Sequence, residues 1–232
     1  MKKFLKIFLY VHGCLTIVAL LTHCSFTRYA EKSYQAASAE DPFDVIIVPG
    51  VPYTTSAESP VMKMRVLWAK HLYDKGYTKH IIFSGSAVYT PYVEGIVMKL
   101  MADSLGIDAC HTFSETKAEH STENVYYSWK MARALGFEKV ALATDPYQAG
   151  MLRSFVRKYC PEVKAIPIVY DAYEFMNRSL PVIDPQLALR GDFVSITKRE
   201  SFWTRLSGTM GKRVKKDHKA DRKAEQVEAA SF

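Results

Sequence analysis

From residue 44 to residue 169 the chain repeats one pattern: a short apolar run, then a longer stretch with apolar residues at helical spacing. Short apolar runs that end at turn residues are typical of strands buried on both faces. The pattern predicts five strands, the last at a sheet edge because Pro167 has no amide hydrogen to donate. They are DVIIVPG, HIIFSGS, HTFSE, KVALATD and VKAIPIV.

Four stretches between the strands carry the apolar stripe of an amphipathic helix. A capping residue followed by proline opens three of them, at Ser59-Pro60, Thr90-Pro91 and Asp145-Pro146. Ser121 or Thr122 is the predicted cap of the remaining helix. The predicted inward residues are Val61, Met64, Trp68 and Leu72; Val93, Val97, Leu100 and Met101; Val125, Trp129, Ala132 and Leu135; and Leu152, Phe155, Val156 and Tyr159.

Strands that alternate with amphipathic helices indicate a parallel sheet covered by helices on both faces. The sequence therefore predicts one Rossmann-like α/β domain, a three-layer sandwich over residues 43–210. Helix and loop in residues 171–210 are expected to pack on this domain.

The N-terminus reads as an export or anchor segment over residues 1–24. Lys2 and Lys3 precede a mostly apolar run, residues 4–21, at the short limit for crossing a bilayer. A retained membrane anchor, a cleaved signal peptide and a lipoprotein acylated at Cys24 are all open, as is a buried helix of a soluble domain. The first three place the domain outside the cytoplasm, and the anchor places it on the periplasmic side of the inner membrane. Residues 25–42 are expected to form a polar linker with some helical tendency.

The charge distribution argues against nucleic acid as a partner. The formal net charge is +7, but the excess sits at the two ends, and residues 25–197 carry about −1. The tail, residues 211–232, has almost no apolar content, which predicts disorder or a solvated helix. An alternative is that FWTRLSGTMGKRVKK, residues 202–216, lies on lipid headgroups. Cys110 and Cys160 are either bridged or isolated thiols, and no cysteine pair has the spacing of a zinc site.

Polar residues follow each predicted strand. Gly50 follows the first, Ser84-Gly85-Ser86 the second, Glu115 and EHSTEN (residues 119–124) the third, and Thr144-Asp145 with Gln148 the fourth. Ligands of such sheets bind beyond the carboxyl ends of the strands, and a helix N-terminus there offers free N–H groups. These residues have simpler roles too, as helix caps and turns. The sequence contains neither of the two standard phosphate-binding loops. It also contains no serine-hydrolase elbow and no standard metal-ligand spacing.

The same segments resemble the YdcF/SanA/ElyC-like family, the domain of unknown function 218. The similar pieces are DVIIVPG, Arg65 in its helix, IIFSGS, Glu94, E-x3-E-x-S-T-E-N and ALATD, over roughly residues 44–170. The resemblance implies a Rossmann-like fold, often behind one N-terminal membrane segment. It also implies a role in the bacterial envelope, in peptidoglycan or surface polysaccharide biogenesis, and for some members a nucleotide-like ligand such as S-adenosylmethionine.

Carried over by position, the resemblance implies a set of site residues. Glu123 and Glu94 are the acid/base candidates. A small anionic or nucleotide-like ligand is expected at Gly50, Arg65, Ser84, Gly85, Thr122, Asn124 and Thr144, with Asp145 and Gln148 on the same rim. Many family members have a histidine where Gln148 stands, and glutamine cannot titrate as histidine does.

Three hypotheses follow. The first is a ligand-binding enzyme of the envelope, in which Arg65 pairs with an anionic group. The second is a non-catalytic envelope factor that keeps the pocket without turnover, which Gln148 favours. The third is a scaffold whose polar rim only caps helices.

Overall fold

The sheet has five parallel strands in the order β3-β2-β1-β4-β5. The computed structural model describes residues 2–39, 41–56, 59–169 and 179–229. The strands are β1 (Phe43–Pro49), β2 (Thr78–Ser84), β3 (Thr112–Glu115), β4 (Val140–Leu142) and β5 (Lys164–Ala165). This order confirms the predicted Rossmann-like α/β fold, and β5 lies at an edge, as Pro167 indicated.

Helices cover both faces of the sheet. The helices of the described residues are α1 (Lys2–Ser38), α2 (Pro60–Asp74), α3 (Glu94–Ser104), α4 (Ser121–Ala134), α5 (Pro146–Tyr159), α6 (Ile196–Arg199), α7 (Phe202–Thr209) and α8 (Lys212–Ala229). Helices α2 and α3 form one layer and α4 and α5 the other. Short 3-10 turns occupy Ala109–His111 and Pro185–Ala188.

Alternate side chains of β1 supply the two halves of the core. Ile46 and Val48 pack with residues of α2 and α3 on one face, whereas Val45 and Ile47 pack with residues of α4 and α5 on the other. Each face is closed by aromatic residues, of which Trp68 on α2 and Tyr126 on α4 are almost fully buried.

The helix starts only partly follow the predictions. Ser59 caps α2 by accepting a hydrogen bond from Met62 N, and Asp145 caps α5 by accepting one from Gln148 N. Thr90-Pro91 does not open α3, which begins at Glu94, because a turn that bonds to the segment after residue 180 comes first. The cap position of α4 is His120, whose side chain makes no capping hydrogen bond, so neither Ser121 nor Thr122 caps that helix.

The predicted inward residues are mostly buried, with exceptions at the helix rims. Trp129 is half-buried and Leu135 is 44% exposed, because the face of α4 that meets the sheet is shifted toward Tyr126. On α2 the buried face includes Arg65 rather than Val61 or Met64.

Both predicted non-globular segments contain packed helix. Helix α1 continues through most of the expected linker, where Ala30 and Ala37 are buried and α1 contacts α5 and β5. Helix α8 occupies most of the tail, for which the sequence left disorder or a solvated helix open, and its Val214 is fully buried. None of the helices in the described part of the chain has the length and apolar content needed to cross a bilayer. Cys110 is an exposed free thiol and Cys160 a buried one.

Candidate functional site

A cleft of about 200 Å³ opens at the carboxyl edge of the sheet. It lies near the ends of β1 and β4, where the strand order reverses and α/β sheets leave a crevice for ligands. Gly50 lines it after β1, Glu94 at the start of α3, Asn124 in the first turn of α4 and Gln148 in the first turn of α5. Four separate segments of sequence therefore meet at one point.

Glu94 is the buried carboxyl group of this cleft. Only 5% of the residue is exposed, and burial raises the pKa of Glu94 to about 8 against the opposing charge of Arg65. Gly50 and Gly85 make room for it, because a Cβ at either position would collide with the Glu94 side chain. Gly85 also has φ of 142°, which residues with side chains rarely adopt. These glycines serve the packing of a carboxyl group that is neutral at pH 7.

Arg65 joins β1 to the start of α5. Its Nη1 donates to Pro49 O at 2.9 Å and to Gly50 O at 3.1 Å, and its Nη2 donates to Asp145 Oδ2 at 2.6 Å. Burial opposes ionisation of Asp145, but the charge of Arg65 outweighs it and holds the pKa of Asp145 below its usual value. Both Nη atoms are committed to protein partners and Arg65 does not line the cleft, so it supports the site without reaching a ligand.

Two polar contacts fix the amide side chains of the cleft. Ser84 Oγ lies 2.6 Å from Glu115 Oε2 and 3.0 Å from Asn124 Oδ1. Thr144 Oγ1 donates to Gln148 Oε1 at 2.5 Å. The single hydroxyl proton of Ser84 goes either to Glu115 or to Asn124, and Gln148 Oε1 accepts from Thr144. The NH₂ groups of Asn124 and Gln148 have no protein acceptor among the described residues, so they remain as donors for a ligand.

The start of α4 carries a second group of ionisable residues, the carboxylate–arginine cluster. Arg199 and Arg213 donate to opposite oxygens of Glu119 at 2.6 Å and 2.8 Å. Arg213 also bonds Glu200 and lies 3.6 Å from Glu123 Oε1. The cluster consists of Glu119, His120, Glu123, Arg199, Glu200 and Arg213, and it joins α4 to the C-terminal helices.

Glu123 and His120 are shielded within this cluster. Glu123 Oε2 accepts from Glu119 N at 2.9 Å, which satisfies an amide just before α4 begins. Burial raises the pKa of Glu123, and burial with the charge of Arg213 lowers the pKa of His120. Burial opposes ionisation of Glu119, but its hydrogen bonds with Arg199 and Arg213 outweigh this and lower its pKa. His120 is therefore neutral at pH 7, and the charge of Glu119 is balanced.

The predicted site residues fall into three sets. Gly50, Glu94, Asn124 and Gln148 line the cleft. Arg65, Ser84, Gly85, Thr144 and Asp145 stand behind that lining and hold it through the contacts given above. Thr122 and Glu123 face the C-terminal helices, where Thr122 Oγ1 donates to Gly208 O at 3.2 Å.

Sequence reasoning missed the C-terminal side of the site. Thr209 lines the cleft, and Arg199 and Arg213 neutralise Glu119 at its rim. Arg190 Nη1 donates to Ser86 Oγ at 2.8 Å, next to the second strand end. No local pattern identified these residues, because their partners lie about 80 or more positions earlier in the chain.

No protein-family model, no curated protein and no solved structure matches this chain. The function must therefore be argued from the geometry of the site.

Proposed function

We propose that this chain is a bacterial envelope protein that binds a small ligand with an anionic or strongly polar group in the cleft at the carboxyl edge. The observation that carries the proposal is Glu94, a carboxyl group that is only 5% exposed in a cleft at the reversal point of the sheet, where burial raises its pKa to about 8. A buried group with a strongly shifted pKa in such a place is typical of functional sites. The resemblance to the YdcF/SanA/ElyC-like family supports the envelope assignment.

The electrostatics of the cleft favour an anion. Neutral Glu94 donates a hydrogen bond, and the NH₂ groups of Asn124 and Gln148 add two further donors. The first turn of α4 begins at Ser121 on the cleft wall and presents amide groups that have no acceptor within the helix. The one ionised carboxylate of the lining, Glu119, is balanced by two arginines.

The size of the cleft restricts the ligand. Pockets that hold drug-sized molecules measure about 300–1,000 Å³, and this cleft measures about 200 Å³. A phosphate, carboxylate or sugar group fits, whereas a whole S-adenosylmethionine or nucleotide does not. A nucleotide-like ligand would place one polar end among Glu94, Asn124 and Gln148.

Glu94 is also suited to general acid–base catalysis. A catalytic acid or base is most effective with a pKa near the working pH, and that of Glu94 is about 8. Glu94 would hold a proton at the cleft wall and give it to a bound ligand, with Arg65 and the two glycines fixing its position.

A non-catalytic envelope factor is the second candidate. Gln148 accepts from Thr144 and cannot carry a proton, so the cleft has an amide where many members of the resembled family have a titrating histidine. Gln148 is the feature of the lining that favours binding with no turnover.

Attachment to the inner membrane belongs to the same proposal. Residues 4–21 are mostly apolar and follow two lysines, which supports a membrane anchor with the domain on the periplasmic side. Export as a free protein or a lipoprotein is the alternative.

Ligand binding is tested by thermal shift and calorimetry on the full chain. The compounds are inorganic phosphate, nucleotides, S-adenosylmethionine and undecaprenyl-linked sugars. An anionic ligand raises the melting temperature as its concentration exceeds its Kd. Asn124→Asp keeps the acceptor for Ser84 but adds a negative charge, so affinity falls at least about tenfold.

Two further variants complete the test. Glu94→Gln keeps a neutral donor, so it binds the ligand equally at pH 7 and pH 9, whereas the wild type binds more weakly at pH 9. Glu138→Gln changes an exposed glutamate and leaves binding unchanged. If no compound binds, or if all three variants behave like the wild type, the cleft is not a ligand site. If ligands bind but are never converted, the result supports the non-catalytic candidate.

A further inference from the structure

Helix α7 presents its apolar side chains to solvent. Trp203 is 74% exposed, Phe202 61% and Leu206 40%, and Met210, which directly follows the helix, is 68% exposed. Their positions all fall within about 100° around the helix axis, so they form one surface, the α7 apolar face. Single exposed apolar residues are ordinary, but a group with two aromatic rings marks an interaction site.

The opposite side of α7 holds the helix on the domain. Gly208 is buried, and a side chain there would collide with the His120 ring. Gly208 O accepts from Thr122 Oγ1 on α4. An amphipathic helix normally turns its apolar side toward the core, whereas α7 is attached by its small and polar side and directs its largest side chains outward.

The α7 apolar face lies at the carboxyl edge of the sheet. Its attachment points, His120 and Thr122, are at the start of α4. Helix α1 reaches the domain at the same edge, because Phe26 packs against Gly150 and Tyr147 in the first turns of α5. At the far end of α1, Tyr34 bonds Tyr77, which directly precedes β2.

Basic residues flank the α7 apolar face in the sequence, and two of them, Arg199 and Arg213, are paired with Glu119. Residues 198–216 contain seven Lys/Arg and one Asp/Glu. Helix α8 turns Val214, Asp217 and Asp221 toward α4. Lys212, Lys215 and Lys216 remain exposed in its first turns, next to Met210 and Gly211.

We propose that the α7 apolar face and the lysines at the start of α8 dock on an anionic lipid surface. Aromatic and leucine side chains beside lysines are the composition that places a helix in the headgroup region, and each basic residue adds attraction to anionic lipid. A second copy of this chain is disfavoured as the occupant, because it would bring the two basic segments together. This docking turns the carboxyl edge and its cleft toward the bilayer.

The test uses Trp203 as a reporter in the full chain. The protein is mixed with vesicles of zwitterionic phosphatidylcholine alone or with anionic phosphatidylglycerol, each containing brominated lipid as a quencher. Trp203 is the most exposed tryptophan, since Trp68 is buried and Trp129 half-buried. Docking shifts its emission to shorter wavelength and quenches it in anionic vesicles. Trp203→Phe loses this signal. The loss assigns the signal to docking of α7 and not to insertion of the N-terminal segment.

Two charge-reversal variants locate the surface. Lys212→Glu/Lys215→Glu/Lys216→Glu lowers the docking equilibrium constant by about 100-fold or more, from roughly 1 kcal/mol for each basic residue at the surface. Lys219→Glu/Arg222→Glu/Lys223→Glu makes the same charge change about 10 Å further along α8. This distance exceeds a Debye length at physiological salt, so this variant lowers the docking equilibrium constant much less. Circular dichroism confirms that both variants fold.

Three results would overturn the proposal. One is the absence of quenching in anionic vesicles, and another is equal quenching in both vesicle types. The third is a lipid-free shift of Trp203 emission that grows with protein concentration, with dimers in sedimentation, which would make the face an interface between copies.

Discussion

Arg65 shows how one buried charge organises the site. Its guanidinium bonds two carbonyl groups at the end of β1 and the carboxylate of Asp145 at the start of α5. The side chain of Arg65 is 4% exposed and that of Asp145 15%, so neither charge has full access to water. An ion pair of this kind contributes little when intact, but loss of one partner leaves a buried charge without compensation.

Asp145→Asn is expected to destabilise the fold by about 3–5 kcal/mol because it leaves Arg65 charged and unpaired. Asparagine still caps α5, so the loss reports the ion pair rather than the cap. Urea denaturation at pH 7 measures it. Asp41→Asn removes the partner of Lys139 in an exposed pair, and its effect should stay within about 0.5 kcal/mol. Equal effects of the two variants would contradict this role of Arg65.

At the scale of elements, the start of α4 depends on the C-terminal helices. The carboxylate–arginine cluster and the Thr122–Gly208 hydrogen bond join α4 to α6, α7 and α8. Helix α8 adds buried Val214, and Tyr127 and Tyr126 donate to Asp217 and Asp221 at 2.8 Å and 2.7 Å. A segment with almost no apolar residues is thus held as a helix by a few specific contacts.

A chain that ends at Gly211 is expected to lose at least about 3–5 kcal/mol of stability. It loses three sets of contacts: buried Val214, the two tyrosine hydrogen bonds to carboxylates, and the ion pairs of Arg213. A chain that ends at Ala224 keeps all three sets and should remain within about 0.5 kcal/mol of the full protein. Denaturation midpoints of the two truncations are compared with that of the full chain. If both match the full chain, α8 is not part of the folded unit.

For the whole molecule, the sequence predicted what local patterns determine. The five strands, their parallel arrangement and the capping of α2 and α5 follow from apolar runs and Ser-Pro or Asp-Pro pairs. The convergence of Gly50, Glu94, Asn124 and Gln148 follows from topology, since the carboxyl ends of parallel strands meet at one edge. The fold class and the approximate position of the cleft could therefore be predicted from the sequence.

Contacts between distant parts of the chain could not be predicted from the sequence. The residue pattern placed Arg65 beside an apolar stripe. Only the packing of α2 on β1 brings it to Asp145, which follows the neighbouring strand β4. Arg213 and Val214 lie in a strongly basic tail, and their partners on and beside α4 give no sequence signal. The same limit explains why Glu123, taken as a catalytic candidate, faces Arg213 instead of the cleft.

The stability of the whole molecule against pH should report the burial of Glu94. An unfolded glutamate ionises near pH 4.5, whereas folded Glu94 has a pKa of about 8. Between these values the unfolded state releases a proton that the folded state retains, so stability falls as pH rises and levels off above 8. The raised pKa of Glu123 and Glu115 acts in the same direction, whereas the lowered pKa of His120 costs stability only below its ordinary value of 6.5.

Above pH 6.5 one variant is therefore enough to isolate the contribution of Glu94 to the pH dependence of the free energy of unfolding. Ionisation of a group with these two pKa values lowers the free energy of unfolding by about 2 kcal/mol between pH 6.5 and pH 9. Glu94→Gln removes this contribution and should be more stable than the wild type at pH 9, with a flatter profile. Urea denaturation at half-unit steps measures both curves, and Glu138→Gln should follow the wild type. Parallel curves for wild type and Glu94→Gln would mean that Glu94 is already ionised at pH 6.5. An ionised Glu94 cannot donate a hydrogen bond, so the proposed anion binding would lose this donor.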